Sequence, residues 1–267
     1  MPTDGAIIVQ KQKGTTSNHI VQALKPLFRN VKIGHVGTLD PLAKGVLPVC
    51  FGRATKLIPF LITREKYYHA GLKLGLETDT QDALGRIINQ QTVDVGREQL
   101  LSVLETFQGE IEQIPPMYSA LKYRGRRLYQ LARLGLEIER APRKIKIYSL
   151  KLRQFEKDEA LLEVVCSSGT YIRTLCHDIG KSLGCGAHMS SLTRVKVGNF
   201  HLNSSYTFEQ ILDFHRKDQL ERVCLSIPEL VSFLTSIVVA PGKERLVSSG
   251  ISPKPDWIIN IPKYFSS

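Results

Sequence analysis

Residues 34–45 are G-H-V-G-T-L-D-P-L-A-K-G, and they place one carboxylate, that of Asp40, in a stretch that favours neither helix nor strand. The glycines make a helix costly and permit positive φ, while Pro41 biases Asp40 toward an extended backbone. An Asp between Gly and Pro most often bonds its own backbone in a turn. Taken alone, the stretch predicts a loop in which Asp40 has only that structural role.

The composition is that of a globular protein with excess positive charge. The chain has 267 residues, 42% hydrophobic and 23% charged, enough for one large domain with at most a small appendage. Its 36 basic and 25 acidic residues give a net charge of +11. The amino terminus lacks the apolar run of a signal peptide, and the longest apolar-rich stretch, 227–240, is too short to span a bilayer. We therefore expect a cytoplasmic protein without membrane association.

The five cysteines predict reduced thiols, because their number is odd and their spacing wide. A zinc site would have to combine Cys176, His177, Cys185 and His188, a spacing that matches no common zinc motif. Cys176 also lies on the apolar face of a predicted helix, which favours a buried thiol. The acidic stretch at 74–85 lacks the ligand pattern of a calcium loop. No metal site is expected.

Most of the positive charge lies in one segment. Residues 115–153 hold eleven Lys and Arg against two acids, a net charge of +9, with tyrosines interleaved. Cations beside flat rings are typical of surfaces that pair with phosphates and stack on bases. The alternative is a solvated surface with tyrosines in the core. That alternative suits Tyr148, in a predicted strand, better than K-Y-R-G-R-R-L-Y at 122–129.

Strands and helices alternate without a regular βαβ rhythm, which predicts an α+β protein with helices packed on a sheet. The predicted strands are 6–9, 46–50, 67–74, 192–197 and a pair, 144–155 and 161–166, with a bulge near Tyr148. The predicted helices run from a cap at Ser17 or Asn18 to Phe28, from Ala54 to Leu61, from a cap at Asp94 to Phe107, from Thr170 to Leu183, and from a cap at Thr207 to Phe214. After about residue 226, repeated prolines predict loops.

The catalytic-loop motif of the TruB-type tRNA pseudouridine synthases resembles residues 34–49, G-H-V-G-T-L-D-P-L-A-K-G-V-L-P-V. Four further stretches match that family in order, so the resemblance covers roughly residues 5–198. It implies the pseudouridine synthase fold, with a mixed, mainly antiparallel central sheet flanked by helices and loops and a basic RNA-gripping insertion. It also implies that Asp40 is the catalytic residue.

Two other motifs imply partners for Asp40. K-Y-Y-H-A-G-L-K-L-G at 66–75 resembles the motif whose tyrosine stacks on the target uracil, which is Tyr68 in this alignment, with Tyr67 as the competing candidate. Alternation along a strand lets only one of the two rings face the loop. C-S-S-G-T-Y-I-R-T at 166–174 resembles the motif whose arginine pairs with the catalytic Asp, here Arg173. The simpler alternatives are core rings and an exposed helix arginine.

Three more residues take roles from the resemblance. G-C-G-A-H-M-S-S-L-T-R at 184–194 matches a segment that places an apolar residue against the flipped base, here Leu192, which could equally be ordinary core. His35 matches a histidine near the flipped nucleotide, and we assign it to binding rather than proton transfer. Lys11 lies in Q-K-Q-K-G at 10–14, where the family has D-K-P-x-G. The alternative for Lys11 is an exposed charge at a strand end.

The resemblance further implies the reaction and the partner. The enzyme would isomerise uridine 55 in the T loop of tRNA, on a nucleotide flipped out of the RNA. It would need no cofactor, guide RNA or protein partner, and we expect a monomer. Asp40 could act as a nucleophile or take a proton from the ribose, and both routes stay open. The arm at about 115–143 would grip the RNA and order on it, through Lys122, Arg124, Arg126, Arg127 and Arg133.

Residues 1–226 are predicted to form the catalytic domain. Residues 227–267 would be a short appendage, too small for a complete RNA-binding module of the PUA type. Two rival functions remain at this point: a non-catalytic RNA-binding or RNA-folding protein, and a guide-RNA-dependent synthase of the dyskerin type.

Overall fold

The computed structural model describes residues 2–28 and 31–260. In this part of the chain the strands are β1 (Gly5–Lys11), β2 (Ile33–His35), β3 (Lys44–Phe51), β4 (Lys66–Leu74), β5 (Leu76–Thr78), β6 (Ile87–Gln90), β7 (Gly109–Gln113), β8 (Lys122–Tyr123), β9 (Arg126–Arg127), β10 (Arg143–Glu156), β11 (Glu159–Cys166), β12 (Ala187–Val197), β13 (Phe200–His201), β14 (Cys224–Leu225), β15 (Val238–Val239) and β16 (Ile258–Asn260). The α-helices are α1 (Ser17–Leu24), α2 (Ile58–Leu61), α3 (Arg97–Thr106), α4 (Leu128–Arg133), α5 (Ile172–Ser182), α6 (Phe208–Arg216), α7 (Ile227–Leu230) and α8 (Glu244–Ser248).

A ten-stranded sheet forms the centre of the fold. Its main path is β14-β1-β3-β12-β4-β11-β10-β7, while β2 pairs with β3 and β13 pairs with β12. All the described pairings in this sheet are antiparallel except that of β12 with β3. The mixed, mainly antiparallel sheet that the sequence predicts is therefore confirmed. The parallel pairing places the end of the 34–45 stretch beside β12.

Helix α5 packs on this sheet through the apolar stripe that its sequence predicts. Leu175, Cys176 and Ile179 have no exposed surface. Gly180 lets the helix approach β12, because a Cβ there would overlap the backbone of Ala187. The helix begins two residues later than predicted, since its N-cap, Tyr171, has an extended backbone. This late start places Arg173 in the first turn.

Three predicted helix starts have different outcomes. The Thr207 cap is confirmed, and Thr207 forms a capping box with Gln210. The cap of α1 is Thr16, one residue before the predicted candidates. The cap at Asp94 is wrong, because α3 begins only after Gly96. Val93 and Val95 pack against the core on either side of Asp94, which leaves its side chain exposed.

The predicted helix from Ala54 to Leu61 is a 3-10 helix, Gly52–Leu57, followed by the short α2.

The predicted bulge in β10 is confirmed, but the predicted burial of Tyr148 is wrong. The register with β11 shifts between Ile147 and Ser149. Tyr148 is the extra residue and is 50% exposed, whereas Ile147 and Leu150 on either side are buried. A bulge inserts one residue and so shifts the alternation of side chains by one. The buried positions of β10 are therefore odd-numbered before the bulge (Ile147) and even-numbered after it (Leu150), although they lie on one face of the sheet. Tyr148 therefore joins the solvent face.

The chain divides into two compact units, the first ending at Leu225 and the second beginning at Ser226. In the second unit β15 pairs with β16, and the ammonium groups of Lys243 and Lys254 lie 5.4 and 5.7 Å from the ring centre of Trp257. The end of the predicted appendage, 261–267, lies outside the described residues. Within the described ranges no helix combines the length and apolarity needed to cross a membrane.

Replacing Gly45 by Ala should destabilise the fold more than replacing Gly109. Both have left-handed backbone, with φ of +112° and +92°, so each Ala costs roughly 1–2 kcal/mol in backbone strain. A Cβ at Gly45 would also overlap the carbonyl of Arg194, whereas the space at Gly109 is open. Overpacking adds roughly 1–3 kcal/mol at Gly45 alone. Urea denaturation of the two variants measures the difference, and equal losses would contradict the close packing of β3 on β12.

Candidate active site

The loop that carries Asp40 connects β2 to β3 and is tied to the amino-terminal part of the chain. Ser17 Oγ donates to the Leu39 carbonyl at 3.1 Å and accepts the Leu39 N–H at 2.8 Å. Lys11 Nζ donates to the Ala43 carbonyl at 2.6 Å. The Ala43 N–H in turn closes a tight turn on the Asp40 carbonyl at 3.0 Å. The backbone on both sides of Asp40 is therefore fixed, while 32% of the Asp40 side chain stays exposed.

Arg173 and Asp40, which the resemblance pairs, meet in the structure. The Arg173 Nε lies 2.9 Å from Asp40 Oδ2, and Nη2 donates to Oδ1 at 3.4 Å. Arg173 is only 4% exposed, so the alternative of an exposed helix arginine is wrong. Because this buried guanidinium lies against both carboxylate oxygens, it restricts the position and the rotation of the carboxylate. Asp40 thus presents its charge in a defined direction.

Arg173 is itself held by two other segments. Its Nη1 donates to the Thr80 carbonyl at 3.0 Å and lies 3.9 Å from Asp82 Oδ2, and its Nη2 donates to the Tyr118 carbonyl at 2.9 Å. Asp82 is buried in the 74–85 stretch, where its Oδ1 accepts hydrogen bonds from Thr80 Oγ1 and the Leu84 N–H. This acidic stretch therefore orients the arginine.

Gln113 fixes the start of α5 and hence the position of Arg173. The Gln113 side chain is 3% exposed. It accepts the Tyr171 N–H at 2.8 Å and donates to the Tyr171 carbonyl at 3.0 Å. No motif indicated Gln113 or Ser17. Burial of single polar side chains against distant backbone leaves no signal in one sequence.

Tyr68, rather than Tyr67, is on the side of the sheet that faces the Asp40 loop. Tyr68 is 5% exposed, and burial raises the pKa of its phenol to about 12, with a small further rise from Asp40. Leu192 lies on the same face, since it is directly opposite Ala70, two residues from Tyr68. Tyr67 points to the other face, where the Lys196 ammonium lies 4.8 Å from its ring centre. Both Tyr68 and Leu192 also belong to the hydrophobic core.

Lys11 is buried and His35 is partly buried. Lys11 has no exposed surface, so the alternative of an exposed charge at a strand end is wrong. Lys11 contacts the loop backbone rather than open solvent. His35 is partly buried, and its Nδ1 has no hydrogen-bond partner among the described residues. Burial lowers the pKa of His35, as do the nearby charges of Arg194 and Arg127, which favours a neutral imidazole.

The basic arm forms a small structure of its own beside the site. Strands β8 and β9 form a hairpin whose turn residues Arg124 and Gly125 have positive φ, and α4 follows directly. Leu128 and Leu131 are buried beneath it. All five predicted RNA-binding side chains are exposed: Lys122, Arg124, Arg126, Arg127 and Arg133. The charge of Arg127 influences His35, and the Tyr118 carbonyl binds Arg173, so the arm lies next to the Asp40 loop.

The charges of β10 differ from those of the arm. Lys144 and Lys146 lie directly opposite Glu112 and Glu110 on β7. Further along, the Nε of Arg153 donates to a Glu163 oxygen at 2.8 Å. Acids on the neighbouring strands therefore lie close to the cations of β10. These acids are outside residues 115–153, so the net charge of that segment did not include them. Among the described residues, none of the five exposed arm cations named above lies within ion-pair distance of an acid.

Within residues 2–28 and 31–260, no three His, Cys, Asp or Glu side chains are grouped closely enough to hold a metal ion. Burial raises the pKa of Cys176 to about 12, which disfavours a thiolate. The Cys176 side chain is an ordinary part of the core.

Two family models match adjacent parts of this chain. The family model described as TruB family pseudouridylate synthase, N-terminal domain, matches residues 25–172, and that of the tRNA pseudouridylate synthase B C-terminal domain matches 173–232. The tRNA pseudouridine synthase B of Dechloromonas aromatica is 46% identical, over 91% of this chain and 81% of its own length. That of Clostridium kluyveri is 41% identical, over 96% and 88%.

Solved structures extend the comparison to the fold. A Cbf5–Nop10–Gar1 complex contains a chain that matches with a TM-score of 0.74 and 30% identity, over 93% of this chain and 68% of that one. An archaeal box H/ACA Nop10–Cbf5 complex matches with a TM-score of 0.73 and 26% identity, over 96% and 70%.

The fold and the family matches are those of a pseudouridylate synthase, an isomerase that acts on RNA. Within that class, the chain belongs to the TruB family.

Replacing Lys11 by Met should change how stability depends on pH. Burial lowers the pKa of Lys11 to about 8 from 10.5, although the Asp40 charge opposes the shift. Between these two values the unfolded chain binds the extra proton, so the free energy of unfolding of the wild type should rise with pH. The variant should lack this part of the rise. Urea denaturation across the same pH range measures both proteins, and identical slopes would contradict the burial of a titrating Lys11.

Proposed function

We propose that this protein isomerises uridine 55 in the T loop of tRNA to pseudouridine, with Asp40 as the catalytic residue. The observation that carries the proposal is the Asp40 carboxylate itself, partly exposed, held by the buried Arg173 and placed on the Tyr68 side of the sheet. The relatives named tRNA pseudouridine synthase B support tRNA as the substrate. We further propose that the protein acts in the cytoplasm as a monomer. It would modify tRNA without a guide RNA or a protein partner.

The chemistry needs one carboxylate and a pocket for a base. The N1–C1′ glycosidic bond breaks, the uracil turns, and its C5 bonds to the same ribose carbon. The C5 hydrogen then leaves and N1 takes up a proton, with no change in oxidation state. Asp40 assists either by attack at an electron-poor carbon or by removing a ribose proton. Both routes use the carboxylate that lies beside the Arg173 guanidinium.

The side chains around Asp40 suit a flipped nucleotide. Unstacking a base costs a few kcal/mol, and stacking on an aromatic ring returns roughly 1–3 kcal/mol. Tyr68 supplies the ring and Leu192 an apolar contact on the same face. His35, held neutral, fills the space that the base leaves in the RNA without adding charge. Lys11 acts indirectly, because its ammonium binds the loop at the Ala43 carbonyl rather than the nucleotide.

The arm is the part proposed to hold the RNA backbone. Its exposed cations lie beside the site rather than on a remote surface. Two rings of the arm already contact cations, since Arg124 lies 5.4 Å from the ring centre of Tyr123 and Arg133 5.4 Å from that of Tyr129. Such pairs can stack on bases and bind phosphates together. Because the Tyr118 carbonyl binds Arg173, ordering of the arm on tRNA also affects the catalytic pair.

A site-mapped activity assay tests substrate, reaction and autonomy together. Unmodified elongator tRNA transcript is incubated with the protein alone, and pseudouridine is mapped along the RNA. We expect modification at position 55 and nowhere else in the T arm. Binding without isomerisation would favour the non-catalytic rival. Dependence on a guide RNA or on proteins such as those in the Cbf5 complexes would favour the guide-dependent rival.

Replacing Asp40 by Asn should abolish turnover. The amide keeps the shape of the side chain but cannot act as a nucleophile or base, so we expect a loss of at least about a thousandfold. Affinity for tRNA should stay within about threefold, because Asp40 makes no phosphate contact. Single-turnover kinetics and filter binding measure the two quantities. Turnover retained in the variant would remove Asp40 from the mechanism.

Replacing both Arg126 and Arg127 by Gln should weaken tRNA binding and reduce its dependence on salt. Each lost phosphate contact should make the slope of log K against log salt shallower by about 0.7–0.9. The matched control replaces Lys144 and Lys146, which lie opposite Glu112 and Glu110. Binding titrations at several salt concentrations compare the two pairs. A larger effect from the β10 pair would move the RNA interface away from the arm.

A further inference from the structure

Arg194 is a buried cation for which neither the motifs nor the reaction gives a role. It lies on β12 and has no exposed surface. Among the described residues no carboxylate is within ion-pair distance of its guanidinium. Burying an unpaired charge is costly unless its donors find other partners. The partners of Arg194 are therefore informative.

Those partners are main-chain carbonyls at both ends of the Asp40 loop. The Nη2 of Arg194 donates to the Gly37 carbonyl at 3.1 Å, and Nη1 to the Thr38 carbonyl at 3.5 Å. Its Nε donates to the Val46 carbonyl at 2.8 Å. One planar group thus connects the segment before Asp40 with the segment after it. Moving either end of the loop would break one of these bonds and leave a donor unsatisfied.

Two glycines of the loop lie against Arg194, Gly37 at its guanidinium and Gly45 at its main chain. Gly37 has φ of +76°, and a Cβ there would lie 3.4 Å from Arg194 Nη1. Gly45 has φ of +112°, and a Cβ there would overlap the Arg194 carbonyl. Two of the three glycines in the 34–45 stretch therefore face Arg194. The loop and the arginine fit each other closely.

Arg194 also lies beside the stacking ring. On one edge of β12 it is paired with Gly45 of β3, and on the other edge it is directly opposite Tyr68 of β4. Residues directly opposite in an antiparallel pair have side chains on the same face. Consistently, the Arg194 charge opposes the rise that burial causes in the pKa of the Tyr68 phenol. The guanidinium is thus next to both the loop and the ring.

We propose that Arg194 is a positioning residue for the isomerisation, fixing the Asp40 loop relative to the Tyr68 ring without contacting the nucleotide. The inference rests on the proposed function. A guanidinium suits the task because its donors form a rigid planar fork, whereas an ammonium on a flexible stem cannot reach three carbonyls in fixed directions. A displacement of about 1 Å between reacting groups can cost about a hundredfold in rate.

The test compares Arg194→Lys and Arg194→Met with Thr55→Val. Thr55 is the control, since it is also buried and its hydroxyl also donates to a main-chain carbonyl, that of Gly52 at 2.7 Å, outside the loop. For each protein we would measure Tm, tRNA affinity and the single-turnover rate per folded molecule. Tritium released from C5-tritiated uridine in tRNA reports the rate, because bond formation at C5 displaces that hydrogen.

A positioning role predicts a specific pattern. Arg194→Lys should lower the rate by about 10–100-fold with tRNA affinity within about threefold, and Arg194→Met should lower the rate further. Thr55→Val should lower Tm but leave the rate per folded molecule near that of the wild type. Arg194→Lys keeps the charge, so it remains informative if Arg194→Met does not fold. An unchanged rate in Arg194→Lys, or an equal loss in Thr55→Val, overturns the proposal.

Hydrogen exchange separates this inference from the proposed function. The amides of residues 36–45 in the free protein should exchange faster in Arg194→Lys than in the wild type, because the loop loses its connection. Unchanged exchange overturns the positioning role whatever the activity. An inactive wild type on tRNA would overturn the proposed function and with it a role in this reaction, whereas an active wild type with an active Arg194→Lys overturns the inference alone.

Discussion

The ion pair between Arg173 and Asp40 joins two parts of the chain that are 133 residues apart, and the site depends on it. Each partner is held by its own set of contacts. The backbone around Asp40 is fixed by Lys11 and Ser17, and the guanidinium by carbonyls of Thr80 and Tyr118. A loop rich in glycine would otherwise lose much entropy on ordering. The buried donors and acceptors offset that cost, so the carboxylate is oriented before any ligand arrives.

The sheet supplies the geometry that these contacts need. The parallel pairing of β12 with β3 brings the end of the loop beside the strand that carries Leu192 and Arg194. The same strand pairs on its other edge with β4, which carries Tyr68. The middle of the fold therefore orders the loop, the ring and the apolar contact together. The hairpin and helix of the basic arm, by contrast, lie outside this sheet, and their exposed cations are accessible to another molecule.

How much the sequence revealed depended on the range of the interaction. Turns, caps and alternation are local, so the Thr207 cap and the β10 bulge were predicted correctly. The cap at Asp94 failed because packing of the flanking valines on the core outweighed a local preference. The burial of Tyr148 failed because a bulge decides which face the extra residue joins. Net charge along the segment also concealed the acids that lie across from the β10 cations.

By itself, the sequence determined the class of fold, the presentation of Asp40 in a loop and the family whose motifs surround it, because motif spacing and backbone preferences are written along the chain. Only the tertiary structure decided that Tyr68 rather than Tyr67 faces the loop, that Arg173 is buried, and that Arg194 spans both ends of the loop. These outcomes depend on which strands pair and in which register. Register follows from the packing of the whole sheet, which a single stretch of sequence does not contain.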